Sequence, residues 1–278
     1  MSLCNDCIRG VTHEGTPKGA WEVIGGVNTY VATPRGGRAY PRNMAILFLP
    51  DAYGPQLINS RLLADDFASN GFQVFIPDYL DNDPLPPHVM VPGMPKVPFD
   101  IDKWLAKHGE RQTRPLIDAL MRALREERGI ERFAAVGYCF GGKYVFDLAC
   151  ENIIQAAVVA HPSLLNVPGD FEKYVQKSRI PLLMHTCPID SQFPPSAADA
   201  ADSILGNGKF GPGYVRLNYD GCRHGFTIRG DLSDPVVKKA KEDAFKATVA
   251  WLRVHLCASP RGPRWLGSAK YEGRGVIS

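Results

Sequence analysis

The stretch Phe133-Ala134-Ala135-Val136-Gly137-Tyr138-Cys139-Phe140-Gly141-Gly142 decides the fold of this chain. Its apolar beginning, residues 133–136, predicts a buried strand, and the part that follows reads Gly-x-Cys-x-Gly. That spacing is typical of a nucleophile elbow, a sharp strand-to-helix turn whose flanking glycines leave room for a strained nucleophile. Apolar residues continue at helical spacing to Ala149, and the positive end of that predicted helix would favour a thiolate. The segment therefore predicts Cys139 as a nucleophile at the end of a strand.

Two later loops supply an acid and a base. The run 180–185 predicts a buried parallel strand, and Asp190 follows it; the run 214–219 predicts another strand, and His224 follows it. The order nucleophile, acid, histidine is the order that this kind of turn requires. Carboxyl ends of parallel strands are also where open α/β sheets gather their active-site groups. Each residue alone could be a buried thiol, a turn aspartate or a loop histidine, but together they favour the triad Cys139, Asp190 and His224.

The rest of the chain alternates between predicted strands and helices. The predicted strands are Thr29–Thr33, Met44–Leu49, Phe72–Ile76, Phe133–Val136, Ala156–Ala160, Pro181–His185 and Tyr214–Tyr219. The predicted helices are Arg61–Ser69, Arg114–Arg128, Gly142–Cys150, Ala197–Leu205 and Pro235–Leu256. This alternation predicts an α/β fold with a mostly parallel sheet and helices on both faces. We expect a single domain over residues 19–256, an N-terminal extension over 1–18 and a C-terminal tail over 257–278.

Each member of the predicted triad has a defined task. A thiol with an ordinary pKa of about 8.5 is mostly protonated at neutral pH, so His224 is needed to accept the proton of Cys139. Asp190 would hold the imidazole in its productive tautomer and stabilise it once charged. The backbone N–H groups of Phe140 and of Ala52, in the loop after the strand 44–49, are expected to form the oxyanion hole.

With these motifs taken together, the chain resembles the dienelactone hydrolases, the cysteine branch of the α/β-hydrolase fold, over about residues 19–256. The resemblance depends on the elbow, the loop with Asp190 and the segment His224-Gly225-Phe226. Residues 14–19 and 160–163 are more similar to eukaryotic, especially fungal, members than to bacterial ones. Membership implies a single-domain hydrolase of a small ester or lactone that acts through a thioester intermediate, with no metal or organic cofactor.

The resemblance also implies two charged residues at the site. The family places an acidic residue after the strand 44–49 that touches the resting thiol and moves when substrate arrives, and here that residue is Asp51. Because Asp is shorter than the Glu of bacterial members, its reach to the sulfur stays open, and capping of a helix near Leu57 is the alternative. Bacterial members also bind a substrate carboxylate with an arginine four residues after the histidine. Arg229 lies one residue further on, so a neutral substrate is possible.

The candidates for lining the substrate pocket are Tyr53, Trp104, Tyr138 and His161. His161 again follows a predicted strand, and a structural histidine there is the alternative to a substrate contact. The proline-rich segment 83–99 is long for a loop. Long loops in compact domains are usually functional covers, so we expect this segment and residues 101–104 to form a lid that sets substrate size.

The composition excludes several classes of protein. A net charge of +3 and 45% hydrophobic residues over 278 residues predict one soluble domain and argue against nucleic-acid or membrane partners. No apolar run is long enough to span a bilayer and no signal-peptide pattern opens the chain, so we expect a cytoplasmic protein. Seven cysteines, an odd number, indicate reduced thiols. Cys4 and Cys7 have no second pair at zinc spacing, so we expect no metal.

Partners and function leave alternatives open. We expect a small-molecule ester or lactone as the partner of a monomer or small homo-oligomer. A non-hydrolytic pathway protein, such as an isomerase, cyclase or binding protein, could use the same scaffold, because one fold hosts many functions. A thiol-based redox sensor would require sulfenic acid formation at Cys139. The order of the triad residues favours the hydrolase over both.

Overall fold

A computed structural model describes residues 10–37, 39–86 and 100–257 of the chain. The strands in this part are β1 Ala20–Ile24, β2 Val27–Ala32, β3 Met44–Leu49, β4 Val74–Pro77, β5 Arg132–Tyr138, β6 Ala156–Ala160, β7 Leu182–Thr186 and β8 Tyr214–Asn218. They form one sheet in the order β1-β2-β4-β3-β5-β6-β7-β8. β1 pairs with β2, and β2 with β4, in antiparallel fashion. The remaining neighbours are parallel, as the alternation of elements predicts.

Helices cover both faces of this sheet. They are α1 Ile58–Ser69, α2 Ile101–Lys107, α3 Glu110–Arg128, α4 Phe140–Cys150, α5 Gly169–Lys177, α6 Pro195–Leu205, α7 Phe226–Arg229 and α8 Pro235–His255. α1, α7 and α8 contact one another on one face, and α3, α4, α5 and α6 follow one another across the other. Because both faces are covered, the central strands β5, β6 and β7 are almost entirely buried and apolar.

The parallel register aligns the ends of the central strands. Leu49 of β3 pairs with Gly137 of β5, and Ala160 of β6 pairs with both Tyr138 of β5 and His185 of β7. The loops that leave these strands therefore begin side by side at one edge of the sheet. This edge is where the sequence places its candidate site residues.

The two glycines that flank the elbow are required by close packing. A Cβ on Gly137 would lie 2.6 Å from Val145 Cγ2 and 2.7 Å from Gly141 O. A Cβ on Gly141 would lie 2.1 Å from Leu49 O. No side chain fits at either position, which is the physical reason for the Gly-x-Cys-x-Gly spacing.

Several elements differ from those predicted. β1 was not predicted, because Trp21 and Val23 are exposed and the strand lacks a buried pattern. α2, α5 and α7 were not predicted as helices either. α1 begins at Ile58 rather than at residue 61, and α3 begins at Glu110 rather than at 114, which leaves Pro115 inside the helix.

Some predictions concern residues that the structure does not describe. These are Cys4, Cys7, residues 87–99 of the expected lid and residues 258–278 of the expected tail. Within the described ranges, no helix is both long enough and apolar enough to cross a membrane.

Candidate active site

Cys139 is a fully buried residue at the turn between β5 and α4. Its backbone has φ 49° and ψ −112°, a conformation that non-glycine residues rarely adopt. Its N–H donates to Ala160 O at 3.1 Å, and its carbonyl accepts from the N–H groups of Gly142 and Ser163 at 3.0 Å. These bonds hold the strained residue in place, and strain of this kind is common at functional sites.

Asp190 and His224 lie in contact, both buried. Their loops are joined by a backbone hydrogen bond from His224 N to Ile189 O at 2.9 Å. The ring Nδ1 of His224 then donates to Asp190 Oδ1 at 2.9 Å. The same oxygen accepts from the N–H groups of Gln192 and Phe193 at 2.9 and 3.0 Å. Asp190 is therefore fixed by its own loop and orients the imidazole.

The charge on His224 depends on Cys139. Burial by itself lowers the pKa of His224, but the negative charges of Cys139 and Asp190, with hydrogen bonds to both, raise that pKa to about 10. An imidazole with this pKa is protonated at neutral pH while the sulfur is charged. The three residues can therefore hold a thiolate–imidazolium pair oriented by a carboxylate.

Asp51 and Arg229 form a buried ion pair beside the nucleophile. Arg229 Nε donates to Asp51 Oδ2 at 2.6 Å, and both side chains are 0% exposed. Tyr53 N donates to Asp51 Oδ1 at 3.1 Å, and the ring of Tyr53 lies 5.4 Å from the guanidinium. Asp51 makes no side-chain cap on α1, whose N-cap residue is Leu57, so the capping alternative for Asp51 is wrong.

The charges of this pair interact with that of Cys139. Burial raises the pKa of Asp51; Arg229 lowers it and the charge of Cys139 raises it again. Burial lowers the pKa of Arg229, but Asp51 and Cys139 outweigh this effect and raise it. The guanidinium therefore interacts favourably with both the Asp51 carboxylate and the charge of Cys139. The structure brings together two residues that the sequence assigns to separate tasks, one at the thiol and one at a substrate carboxylate.

His161 is fully buried next to His224. The two rings are 4.9 Å apart between centroids and meet edge to face. His161 has φ 39°, its N–H donates to His185 O at 2.8 Å, and its Nε2 shares a hydrogen bond with Thr227 Oγ1 at 2.7 Å. Burial and the nearby charges of His224 and Arg229 lower the pKa of His161 well below its usual range. The ring is therefore neutral.

Ser163 is a residue of this site that the sequence reasoning missed. Its side chain is fully buried, and its Oγ lies 3.3 Å from Cys139 Sγ. The available signal was its place three residues after the end of β6, at the same edge of the sheet as the other candidates. A serine at that place gives no indication of which way its hydroxyl points.

The predicted oxyanion residues lie under a cover of aromatic side chains. Ala52 and Phe140 are fully buried, and Leu85 N donates to Ala52 O at 2.8 Å. Tyr79 stacks on Phe140 with centroids 6.0 Å apart, and Trp104 of α2 meets the same ring at 5.6 Å.

The cover joins two of the segments that were expected to form a lid. Trp104 Nε1 donates to Asp83 O at 2.8 Å, which ties α2 to the segment 83–86. His108 strengthens this link, because its ring stacks on Trp104 at 4.2 Å and its Nε2 lies 3.6 Å from Asp83 Oδ2. These described parts of the expected lid therefore lie above the nucleophile turn.

Tyr138 points away from this cover. Its ring packs on Phe48 at 4.8 Å and lines a small cavity with Leu63 of α1 and Phe245 of α8. The cavity lies on the face of the sheet that α1 and α8 cover. Tyr138 is thus separated from Trp104 and Tyr53, with which the sequence grouped it as a pocket wall.

This sheet and helix order, with a nucleophile elbow at the end of β5, defines a protein of the α/β-hydrolase fold. The model of the dienelactone hydrolase family matches residues 27–256, and the chain belongs to that family. It is accordingly a carboxylic ester hydrolase. The chain is 35% identical over 250 residues to hydrolase pyvD of Aspergillus violaceofuscus, covering 90% of this chain and 96% of that one. It is 32% identical to dienlactone hydrolase 1 of Gibberella moniliformis, covering 90% and 92%.

Solved structures agree on the fold. A dienelactone hydrolase described as putative, from Klebsiella pneumoniae, superposes with a TM-score of 0.62 at 18% identity, covering 81% of this chain and 92% of that one. A dienelactone hydrolase-like promiscuous phosphotriesterase from metagenomic libraries gives a TM-score of 0.61 at 19% identity, covering 83% and 93%.

Proposed function

We propose that the protein hydrolyses a small ester or lactone, such as a dienelactone, through Cys139, His224 and Asp190 and a thioester intermediate. One observation supports this most directly. The buried bond of 2.9 Å between His224 and Asp190 orients an imidazole whose charge is coupled to that of Cys139. A strained, buried thiol with an oriented base beside it is the arrangement that nucleophilic acyl transfer needs.

In the first half of the reaction, Cys139 Sγ attacks the acyl carbon and the carbonyl π electrons move to oxygen. The tetrahedral intermediate then collapses, and the bond from carbon to the leaving oxygen breaks. The imidazolium of His224 gives its proton to that oxygen, so an alcohol leaves, or in a lactone the ring opens. The product is a thioester on Cys139 and a neutral His224.

In the second half, the same imidazole acts as a base. Once the sulfur is acylated it has no charge, and the largest influence that raises the pKa of His224 is gone. Burial then favours the neutral ring, which can take a proton from water as the water attacks the thioester. The C–S bond breaks, its electron pair returns to sulfur, and His224 again pairs with a thiolate. Asp190 stabilises each charged state of the ring.

The oxyanion of both tetrahedral intermediates would bind to the N–H groups of Ala52 and Phe140. Phe140 supports this assignment because it is the first residue of α4, where a backbone N–H has no acceptor within the helix. Ala52 supports it because it follows Asp51, is fully buried and is held by a hydrogen bond from Leu85 N to its carbonyl at 2.8 Å.

Arg229 is the group that would recognise a substrate carboxylate, if the substrate has one. It already holds the carboxylate of Asp51 at 2.6 Å. A substrate carboxylate would therefore compete with Asp51 for the guanidinium and release the Asp51 side chain. Tyr53 and Trp104, which lie above Arg229 and Phe140 respectively, would pack against a planar unsaturated acyl group.

The test compares wild type with Cys139→Ala on p-nitrophenyl acetate and on carboxylated and neutral lactones. Cys150→Ala, at the far end of α4 and half-buried, is the matched control. We expect turnover and an acyl adduct on Cys139 in wild type and in the control, and neither in Cys139→Ala. Equal turnover in Cys139→Ala would refute the thioester mechanism. If wild type hydrolyses carboxylated lactones faster than neutral ones and Arg229→Met does not, Arg229 is the residue that binds the carboxylate.

A further inference from the structure

Ser163 contacts the sulfur atom of the nucleophile. The Oγ to Sγ separation of 3.3 Å is within hydrogen-bonding range for a hydroxyl and a sulfur, and both side chains are fully buried. A hydroxyl can give its hydrogen to an anionic sulfur or accept one from a neutral thiol. The direction of the bond therefore decides whether Ser163 favours or opposes ionisation of Cys139.

The backbone fixes Ser163 against the nucleophile. Ser163 N donates to Cys139 O at 3.0 Å, and Cys139 N donates to Ala160 O at 3.1 Å. The nucleophile turn and the turn after β6 thus each donate one backbone hydrogen bond to the other. Pro162 packs against the first turn of α4, where a Cβ on Gly142 would lie 2.8 Å from Pro162 Cβ. Packed backbone therefore holds the Cα of Ser163 beside the nucleophile, within reach of the sulfur for its hydroxyl.

His161 holds the same turn on its other side. Its left-handed backbone, with φ 39°, is maintained by the bond to His185 O and by the bond from its ring to Thr227. Thr227 belongs to α7, which begins two residues after His224. The turn that presents Ser163 is thus bound both to the nucleophile and to the helix beside the base.

We propose that Ser163 is a further catalytic residue, whose hydroxyl donates a hydrogen bond to the thiolate of Cys139. The bond stabilises the ionised sulfur in the resting enzyme and again when the thioester breaks and its electron pair returns to sulfur. Hydrogen bonds to a charged acceptor are stronger than those between neutral groups. This inference deepens the proposed function and rests on its assignment of Cys139 as the nucleophile.

The charges around the sulfur are consistent with an anion at that position. The titratable side chains of the described residues that interact with its charge include these four: His224, Asp51, Arg229 and Tyr79. Two of the four are cationic. Ser163 adds a neutral donor, so its removal leaves these charged contacts in place and its effect can be measured separately from theirs.

The experiment is a pH titration of the thiolate by its ultraviolet absorbance, in wild type and Ser163→Ala, each corrected with the same protein bearing Cys139→Ala. Absorbance does not require a reagent to reach the buried sulfur. We expect the midpoint of thiolate formation to rise by about one pH unit in Ser163→Ala, because one charge-assisted hydrogen bond is lost. An unchanged or lower midpoint would overturn the proposal.

A second measurement separates a chemical role from a structural one. Alkylation of Cys139 by iodoacetamide, followed on its own peptide, should be about threefold faster in Ser163→Ala at high pH. A more basic thiolate is a stronger nucleophile. At pH values below both midpoints the variant should be about threefold slower, because the loss of thiolate exceeds the gain in nucleophilicity. Slower alkylation at every pH would indicate damaged packing and would contradict the proposal.

Two further variants serve as controls. Ser178→Ala removes another buried serine, near the amino end of β7 and away from the site, and should change neither measurement. Ser163→Thr keeps the hydroxyl donor and should give a midpoint near that of wild type, which also tests the idea if Ser163→Ala does not fold. The titration does not depend on turnover. The expected shift of the thiolate midpoint in a protein without esterase activity would refute the proposed function, and with it the catalytic role of Ser163, while leaving the hydrogen bond from Ser163 to the Cys139 thiolate standing.

Discussion

At the scale of single residues, Asp51 and Arg229 place two full charges where water does not reach. Their mutual bond compensates the cost of that burial only while both are present. The pair also contacts Tyr53 and interacts with the charge of Cys139. Stability and chemistry therefore depend on the same two side chains.

Removing one member of this pair should cost much of the protein's stability. We expect Arg229→Met to lower the free energy of unfolding by about 3–5 kcal/mol, because it leaves the Asp51 carboxyl buried without its partner. Adding Asp51→Asn should recover part of that loss. Denaturant unfolding measures both. Arg114→Met, which breaks the more exposed pair with Glu151, is the control and should cost about 1 kcal/mol or less. Equal losses from Arg114→Met and Arg229→Met would contradict this view.

The elbow glycines allow an equally direct test. We expect Gly141→Ala to lower the free energy of unfolding by about 3 kcal/mol and to abolish most activity, since its Cβ would lie 2.1 Å from Leu49 O. Gly211→Ala is the matched control, because a Cβ there meets nothing within 4 Å. Thermal unfolding of both variants decides the matter. A Gly141→Ala protein as stable as the control would mean that the turn can relax.

At the scale of elements, the N-terminal segment is bound to the end of α7. Val11 N donates to Arg229 O at 2.9 Å, and His13 Nε2 bonds to Gly230 O at 2.8 Å. Asn59 of α1 accepts from His13 N and donates to the carbonyls of Val11 and Ile228. A segment expected to be an extension thus helps to hold the backbone on either side of Arg229.

Asn59 is the test of that connection. We expect Asn59→Ala to lower the free energy of unfolding by about 2–4 kcal/mol, because it leaves buried backbone groups without partners. Turnover should fall with it, since Arg229 loses its support. Asn28→Ala removes only a 3.4 Å contact between exposed side chains and should change stability by less than about 0.5 kcal/mol. If the two variants are equally stable, the segment does not contribute as proposed.

Elements differ in how well the sequence predicts them. β3, β5, β6 and β7 were predicted nearly to the residue, because strands buried on both faces are continuous apolar runs. β1 was missed because only one of its residues is buried, and α7 because four residues are too few to show a helical period. α5 begins at Gly169 after Pro168, a pair that by itself predicts a turn.

At the scale of the whole molecule, the parallel sheet brings distant residues to one edge. The sequence predicts Cys139, Asp190 and His224 because each follows a strand in a known order, and the structure places the last two in contact. The sequence does not predict the bond between Asp51 and Arg229, which are 178 residues apart. The contact of Ser163 with the sulfur is equally hidden, since it depends on side-chain direction within a turn.

Buried neutral histidines should make the whole fold sensitive to acid. Burial lowers the pKa of His185 to about 3 and lowers that of His161 well below its usual range. Between pH 6.5 and the folded pKa, the unfolded chain binds protons at these residues that the folded chain does not. The contribution of these two histidines to the free energy of unfolding is therefore complete above about pH 6.5 and is lost as the pH falls. The contribution of His224 to stability changes with pH in the opposite direction, because the pKa of His224 is raised in the folded protein.

We expect the free energy of unfolding to fall by roughly 1 kcal/mol per pH unit for each of His161 and His185 below pH 6.5. Denaturant unfolding at pH 8, 7, 6 and 5 measures the slope. His185→Gln should reduce the slope below pH 6.5 by roughly 1 kcal/mol per pH unit while leaving the change between pH 8 and 7 as in wild type. A slope that does not differ from wild type would show that His185 is protonated in the folded protein.

Trp104 gives this protein a built-in optical reporter. Its indole stacks on the imidazole of His108, 4.2 Å away, and on its other side meets Phe140, the residue that follows the nucleophile. Imidazole quenches indole fluorescence, most strongly when protonated, so any event that separates the two rings brightens the emission. Among the described tryptophans, Trp21 and Trp251 lie on β1 and α8, away from the cover. Events above the thiol can therefore be timed in the unlabelled enzyme by stopped-flow fluorescence, with Trp104→Phe as the blank.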